Sequence, residues 1–107
     1  FLWGGISPLG IDSSGLAYIT ARINGAELPR YIDEQYETGS SISKKLIRPG
    51  DLVFFSSTPD LEDISQVGIW LGDGTFIHAS DSMGYVIISG LDEGNYQDRL
   101  VGVRRLF

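Results

Sequence analysis

The sequence contains no cysteine, and this absence excludes two kinds of structure. Neither a disulfide bond nor a thiolate metal site can form in a chain without thiols. There is also a single histidine, His78, and no cluster of carboxylates at metal-ligand spacing, which disfavours a zinc or a calcium site. We therefore expect no bound metal and no cofactor.

Basic residues and long apolar runs are scarce as well. Lysine and arginine number 8 against 14 aspartates and glutamates, which gives a net charge of −6. This balance argues against nucleic acid as a partner, because binding to phosphates needs a basic patch. No apolar run approaches the roughly 18 residues of a membrane span, so none is expected.

The length of the chain, 107 residues, predicts one domain over residues 1–107. No signal peptide is visible. Because the chain begins inside a motif at Phe1, we expect it to be a domain trimmed at its N-terminus from a longer multi-domain protein.

The stretch with the most chemical content is Gly10–Gly15, GIDSSG. Apolar residues recur behind it at helical spacing, which predicts a helix over residues 14–24 that ends at Gly25. Asp12 and Ser13 are typical helix N-caps. A helix N-terminus also favours a developing anion, so a nucleophile at position 13 would be well placed. A lone serine before a helix, however, is usually a cap and nothing more.

The remainder of the chain changes from a helical to a strand-like period. Residues 31–37 predict a short second helix, and residues 40–45 an exposed polar segment. Short apolar runs between turn signals then predict strands at 52–55, 67–71, 75–79, 85–88 and 100–103. Helices followed by consecutive strands indicate an α+β fold with an antiparallel sheet, not a βαβ fold.

The hairpin around Gly72–Gly74 decides which way His78 points. If all three residues form the loop, Gln66 and His78 are diagonal neighbours on one face of the sheet. If Asp73 and Gly74 alone form the turn, the two side chains fall on opposite faces. The sequence leaves both registers open, and a histidine within a strand is more often structural than catalytic.

Six separate motifs together resemble the NlpC/p60 family, the papain-like cysteine peptidases of bacterial cell walls. They are FLWGG from residue 1, GIDSSGL from 10, LPR from 28, RPGDLVFF from 48, VGIWLG from 67 and FIHAS from 76. The resemblance covers residues 1 to about 105 in the family's order. It implies a papain-like α+β domain with an N-terminal helix packed on an antiparallel sheet of five to six strands. It also implies cleavage of peptidoglycan stem peptides, typically between D-glutamate and the diamino acid.

The resemblance also assigns the catalytic positions. The family's nucleophilic cysteine corresponds to Ser13, its general base histidine to Gln66, and the polar residue that orients the base to His78. A serine hydroxyl needs a base within hydrogen-bond reach, and glutamine cannot accept a proton at neutral pH. Loss of a nucleophile and its base typically removes on the order of 10⁶ in turnover.

Two substrate-binding positions depart from the family as well. Phe1 stands where many members have a tyrosine, and Tyr31 stands where many have an aspartate that receives the free amine of the stem peptide. Trp3, Asp12 and Ser14 are the further residues that the resemblance implies at the groove.

These departures predict a peptidase-like domain of the γ-D-glutamyl-diamino acid endopeptidase type that is catalytically inactive and binds a peptidoglycan peptide or a protein partner. Two alternatives stay open. Ser13 could attack weakly with His78 as its base, or the nucleophile could have been removed by engineering. The family implies an extracellular, periplasmic or cell-wall location, with SH3-like wall-binding domains as possible neighbours outside this chain.

Overall fold

The computed structural model describes residues 13–57, 63–80, 85–93 and 96–106, the side chains of residues 13, 14, 80 and 85 excepted. The helices are α1 (Ser13–Ile23), α2 (Ile32–Tyr36) and α3 (Tyr96–Arg99), and a 3-10 turn lies at Lys44–Leu46. The strands are β1 (Ser40–Ile42), β2 (Leu52–Phe55), β3 (Gln66–Gly72), β4 (Thr75–Ser80), β5 (Tyr85–Gly90) and β6 (Leu100–Arg105). The loop predicted for residues 1–10 lies outside the described residues.

The strands form one six-stranded sheet in the order β1-β6-β2-β3-β4-β5. Every pair of neighbours is antiparallel. Helix α1 packs on β3 and β4. The predicted α+β class, with a helix on an antiparallel sheet of five to six strands, is confirmed.

Apolar residues lie on both faces of this sheet. The cluster on the α1 side consists of Ala17, Ala21, Leu28, Leu52, Phe54 and Val67. The cluster on the opposite face consists of Val53, Phe55, Trp70, Phe76, Leu100 and Val103. Alternate residues of β2 belong to the two clusters, so all four are buried, which explains why this strand is a continuous apolar run.

Helix α1 ends as predicted, in a glycine turn. Gly25 has φ +83°, and its N–H donates to the carbonyl of Arg22 at 3.1 Å, while the N–H of Ala26 donates to that of Ala21 at 2.9 Å. This pair of bonds is the Schellman arrangement, which satisfies the last carbonyls of a helix and favours glycine at the left-handed position.

Two elements were not predicted. The segment over residues 40–45 contains the strand β1, whose pairing with β6 joins Ser40 to Arg105. The serines of β1 are exposed as expected, but they carry no apolar alternation, so only the pairing reveals the strand. Helix α3 has 4 residues and is too short to show a helical period.

An ion pair fastens the last strand to the turn before β2. The carboxylate of Asp51 accepts hydrogen bonds from Nε and Nη2 of Arg105 at 2.9 and 2.8 Å, and from the N–H of Arg48 at 2.9 Å. Burial raises the pKa of Asp51, but these bonds and the two positive charges outweigh it, so the pKa lies below its ordinary value. The same carboxylate raises the pKa of Arg105.

Candidate functional site

The β3–β4 hairpin resolves the register that the sequence left open. Asp73 and Gly74 have φ of +54° and +76° and form a two-residue turn, with Gly72 paired to Thr75. The next pair is Trp70 with Phe76, so Leu71 is an extra, bulged residue. The turn is therefore the two-residue alternative, formed by Asp73 and Gly74. The bulge nevertheless places Gln66 and His78 on one face of the sheet, as the three-residue alternative predicted.

Because of this bulge, Gln66 and His78 share one face of the sheet and touch. Nε2 of Gln66 lies 2.6 Å from Nδ1 of His78. On the other side of the ring, Nε2 of His78 lies 2.9 Å from Oγ of Ser89. The three side chains come from β3, β4 and β5 and form a continuous polar chain across the sheet, which we call the Gln66–His78–Ser89 chain.

Ser89 was not among the predicted site residues. It pairs with Phe76 in the ladder and so lies on the same face as His78, displaced by one diagonal step. The only signal in the sequence is a hydroxyl that ends the apolar run of β5, and such a residue is most often ordinary. Its importance is visible only once β4 and β5 are paired.

Each nitrogen of the His78 ring has a hydrogen-bond partner. Nδ1 pairs with the amide of Gln66 and Nε2 with the hydroxyl of Ser89, and the tautomer of the ring decides which atom donates in each pair. Both ring nitrogens are thus engaged, and the ring is 1% exposed.

Aromatic rings pack against the His78 ring of the polar chain. The centroid of the His78 ring lies 4.9 Å from that of Phe76 and 5.6 Å from that of Tyr96 in α3. Gly68 makes room for this packing, because a Cβ at that position would lie 2.7 Å from Cδ2 of Phe76. The motif glycine of β3 is therefore required by sterics rather than by a turn.

Helix α1 begins with Ser13. Leu16 of its first turns packs with Ala79, the residue after His78, and Ala17 belongs to the cluster of Val67, the residue after Gln66. The first turns of α1 thus pack on the sequence neighbours of Gln66 and His78. The side chains of Ser13 and Ser14 are outside the described residues, as are Phe1, Trp3 and Asp12 altogether.

Tyr31 is the residue directly before α2. Its backbone is extended, with φ −101° and ψ 146°, and its carbonyl accepts from the N–H of Gln35 at 3.0 Å. Its side chain is 67% exposed. An exposed ring at this position has no carboxylate to offer an amine.

The described residues contain neither a membrane-spanning helix nor a clustered metal site. Among them, no helix is long and apolar enough to cross a membrane. The same residues contain no group of three or more histidines, aspartates or glutamates placed to hold a metal ion.

Comparison with known proteins identifies the family of this chain. The model of the NlpC/P60 family matches residues 1–105. The chain belongs to the NlpC/P60 family. It is 35% identical over 107 residues to the γ-D-glutamyl-L-lysine dipeptidyl-peptidase of Bacillus subtilis, covering 100% of this chain and 36% of that protein. It spans between 25% and 53% of the length of the first curated relatives that it matches.

Solved NlpC/P60 structures share the fold. A family member from Bacillus cereus superimposes with a TM-score of 0.84 at 28% identity, covering 89% of this chain and 31% of that one. RipD of Mycobacterium tuberculosis superimposes with a TM-score of 0.75 at 25% identity, covering 98% of this chain and 74% of that one. RipD is described as a non-catalytic NlpC/p60 domain protein adapted to peptidoglycan binding.

Proposed function

We propose that this NlpC/P60 domain is catalytically inactive and binds a peptidoglycan peptide at the former peptidase site. One observation carries the proposal. The residue at the family's base position, Gln66, is an amide whose nitrogen is committed to Nδ1 of His78 at 2.6 Å. An amide has no site that takes a proton at neutral pH, so no side chain at this position can activate a hydroxyl at position 13.

His78 does not replace the missing base. Its Nδ1 pairs with Gln66 and its Nε2 with Ser89, so both ring nitrogens have hydrogen-bond partners other than Ser13. The weak-hydrolase alternative needs one of these nitrogens within hydrogen-bond reach of the nucleophile. The geometry of the polar chain argues against it.

Binding without cleavage has support within the family. RipD has the same fold and is described as a non-catalytic protein adapted to peptidoglycan binding. The B. subtilis relative is named a γ-D-glutamyl-L-lysine dipeptidyl-peptidase. Peptides of this class are the ligands we propose for the present chain, in the bacterial cell envelope or outside the cell.

The proposal is tested by incubating the purified chain with peptidoglycan and measuring released peptides by mass spectrometry. We expect no release by the unmodified chain or by Ser13→Cys. The double variant Ser13→Cys/Gln66→His regains both a thiol and a base, and we expect its rate to exceed that of the single variant by about 10²–10⁴-fold. Release by the unmodified chain would contradict inactivity, and strong release by Ser13→Cys alone would show that Gln66 is no obstacle.

The same samples give the binding readout. We expect the unmodified chain to co-sediment with purified peptidoglycan and not with cellulose, a polymer that carries no peptides. Absence of co-sedimentation would contradict the binding role while leaving the catalytic result intact.

A further inference from the structure

We propose that the segment Lys44–Arg48, with the sequence KKLIR, is a docking site for a lipid surface with anionic headgroups. The segment runs from the 3-10 turn towards the start of β2, whereas Gln66 pairs with Phe55 at the end of that strand. The inference therefore concerns a second surface of the molecule and does not depend on peptide binding at the former peptidase site.

The segment exposes cations and an apolar side chain together. Lys44, Lys45 and Arg48 are exposed, and Leu46 among them is 66% exposed. Ile47 instead packs against the apolar cluster on the face of the sheet opposite α1, so it fixes the segment to the domain. A lipid surface offers both anionic headgroups for the cations and an apolar boundary for the leucine.

Hydrogen bonds hold this segment in one conformation. Nη2 of Arg105 in β6 donates to the carbonyl of Leu46 at 2.9 Å. The N–H of Lys45 donates to Oγ of Ser43 at 3.3 Å, which caps the 3-10 turn. A surface that is already ordered loses less conformational entropy when it binds.

The carboxylate that contacts the segment does not neutralise its lysines. Asp51 accepts from the N–H of Arg48 at 2.9 Å, but its negative charge is paired with Arg105 at 2.8 Å. Within the described part of the chain, neither Lys44 nor Lys45 takes part in an ion pair. Their charges therefore remain available to anionic headgroups.

The acidic helix α2 lies on the other side of the sheet. It carries the exposed Asp33 and Glu34, while its Ile32 and Tyr36 pack against the cluster on the α1 side. Ile47 packs on the opposite cluster. The sheet thus separates these acids from the cations of the segment, although the whole chain has a net charge of −6.

The expected association is weak and reversible. Each cation near an anionic bilayer strengthens binding by about 5-fold. Burial of the exposed two thirds of Leu46 adds about 5- to 30-fold. Three cations and one leucine together predict an association constant on the order of 10³ M⁻¹, below that of a single myristoyl chain.

Sedimentation of the purified chain with lipid vesicles at millimolar lipid and low salt tests the proposal. We expect binding to equimolar phosphatidylglycerol and phosphatidylcholine, and binding about 100-fold weaker to phosphatidylcholine alone. Equal binding to the two kinds of vesicle, or no binding to the anionic one, would overturn the proposal.

Two matched pairs of variants locate the contact. We expect Lys45→Gln to weaken binding by about 5-fold and Arg22→Gln, at an exposed cation of α1, by less than about 2-fold. We expect Leu46→Ser to weaken binding by about 5- to 30-fold. Ile23→Ser, at a side chain that is 71% exposed, should leave it unchanged. Equal losses within either pair would overturn the assigned surface.

Two further measurements separate a lipid surface from other anionic partners. Because a soluble polyanion attracts the cations alone, an unchanged affinity of Leu46→Ser for the vesicles would overturn the lipid assignment. We also expect Lys45→Gln and Leu46→Ser to co-sediment with peptidoglycan as the unmodified chain does. Loss of that co-sedimentation would assign the segment to the wall polymer instead, whereas failure of every protein to bind peptidoglycan would overturn only the proposed function.

Discussion

Gly68 lies where two side chains of β4 cross over β3. A Cβ at this position would lie 2.7 Å from Cδ2 of Phe76 and 3.1 Å from the carbonyl oxygen of Ile77. Phe76 is fully buried and the second atom is backbone, so neither can move away freely. The packing that holds the His78 ring therefore depends on the absence of one methyl group.

We predict that Gly68→Ala lowers the free energy of unfolding by about 1–3 kcal/mol through overpacking. Urea denaturation measures this change. Gly25→Ala is the control, because a Cβ at Gly25 meets no atom within 4 Å but must adopt φ +83°. It should cost about 1 kcal/mol through backbone conformation alone. A Gly68→Ala protein as stable as the unmodified chain would contradict the steric argument.

At the site that we propose, the residue at position 66 determines whether a side chain can act as a base. The difference between histidine and Gln66 leaves the fold in place, because both side chains can hydrogen-bond the ring of His78 from the start of β3. Only the imidazole can take up a proton at neutral pH. If Gln66 occupies the base position, as we propose, the fold of the family is kept without a base at that position.

At the scale of elements, the β3–β4 hairpin has a two-residue turn but the strand register that a three-residue loop would give. The Asp73-Gly74 turn by itself would place Gln66 and His78 on opposite faces. The bulge at Leu71 adds one unpaired residue to β3 and brings them back to one face. Leu71 is 43% exposed, which agrees with its position outside the paired ladder.

We predict that deletion of Leu71 is tolerated, since it removes the bulge while Gly72 still pairs with Thr75 and Trp70 with Phe76. The free energy of unfolding should fall by less than about 2 kcal/mol. NMR of ¹⁵N-labelled histidine should show His78 in the same tautomer as in the unmodified chain.

Deletion of Ile69 is the matched control. It shortens the same strand by one residue on the far side of the bulge, so Gln66 and Val67 exchange faces relative to β4. We expect this protein not to fold. Equal stability of the two deletion variants would show that the bulge does not set the register.

At the scale of the whole molecule, Asp51 and Arg105 join the middle of the chain to its last strand. Their side chains are 4% and 22% exposed, and the guanidinium binds both carboxylate oxygens. A bidentate pair of this kind restricts geometry as well as supplying charge. It holds the edge of the sheet where β1 and β6 meet against the turn that precedes β2.

The pH dependence of stability follows from the direction of the Asp51 shift. Its folded pKa lies below the ordinary value of 3.8. The stabilisation is therefore complete above that value and is lost as the pH falls through the lower folded pKa. We predict that Asp51→Asn lowers the free energy of unfolding at pH 7 by about 1–3 kcal/mol. It should also weaken the decline in stability below about pH 4.

Asp73→Asn serves as the control in these denaturation curves, because it removes the same charge from an exposed turn residue with positive φ, which asparagine also tolerates. It should leave stability at pH 7 within about 0.5 kcal/mol of the unmodified chain. The same acid profile in Asp51→Asn as in the unmodified chain would contradict the assigned role.

The sequence predicted the elements that carry a local signal. Helix α1 has a helical apolar period and a glycine stop, and β2 is an apolar run between turns. Strand β1 and helix α3 have no such signal, because one exists only by pairing with β6 and the other has 4 residues. Local pattern and tertiary pairing thus explain which elements were predicted and which were missed.

The features of the candidate site also separate into those with a local sequence signal and those that depend on strand pairing. The sequence by itself determined the family, the sheet, and the residue types at Ser13, Gln66 and His78, because these depend on motifs that are contiguous along the chain. It could not determine that Gln66 and His78 share a face, since that depends on a bulge opposite another strand. Nor could it show that Ser89 completes the polar chain, because a hydrogen bond across β4 and β5 joins residues 11 apart in sequence only after the sheet has formed.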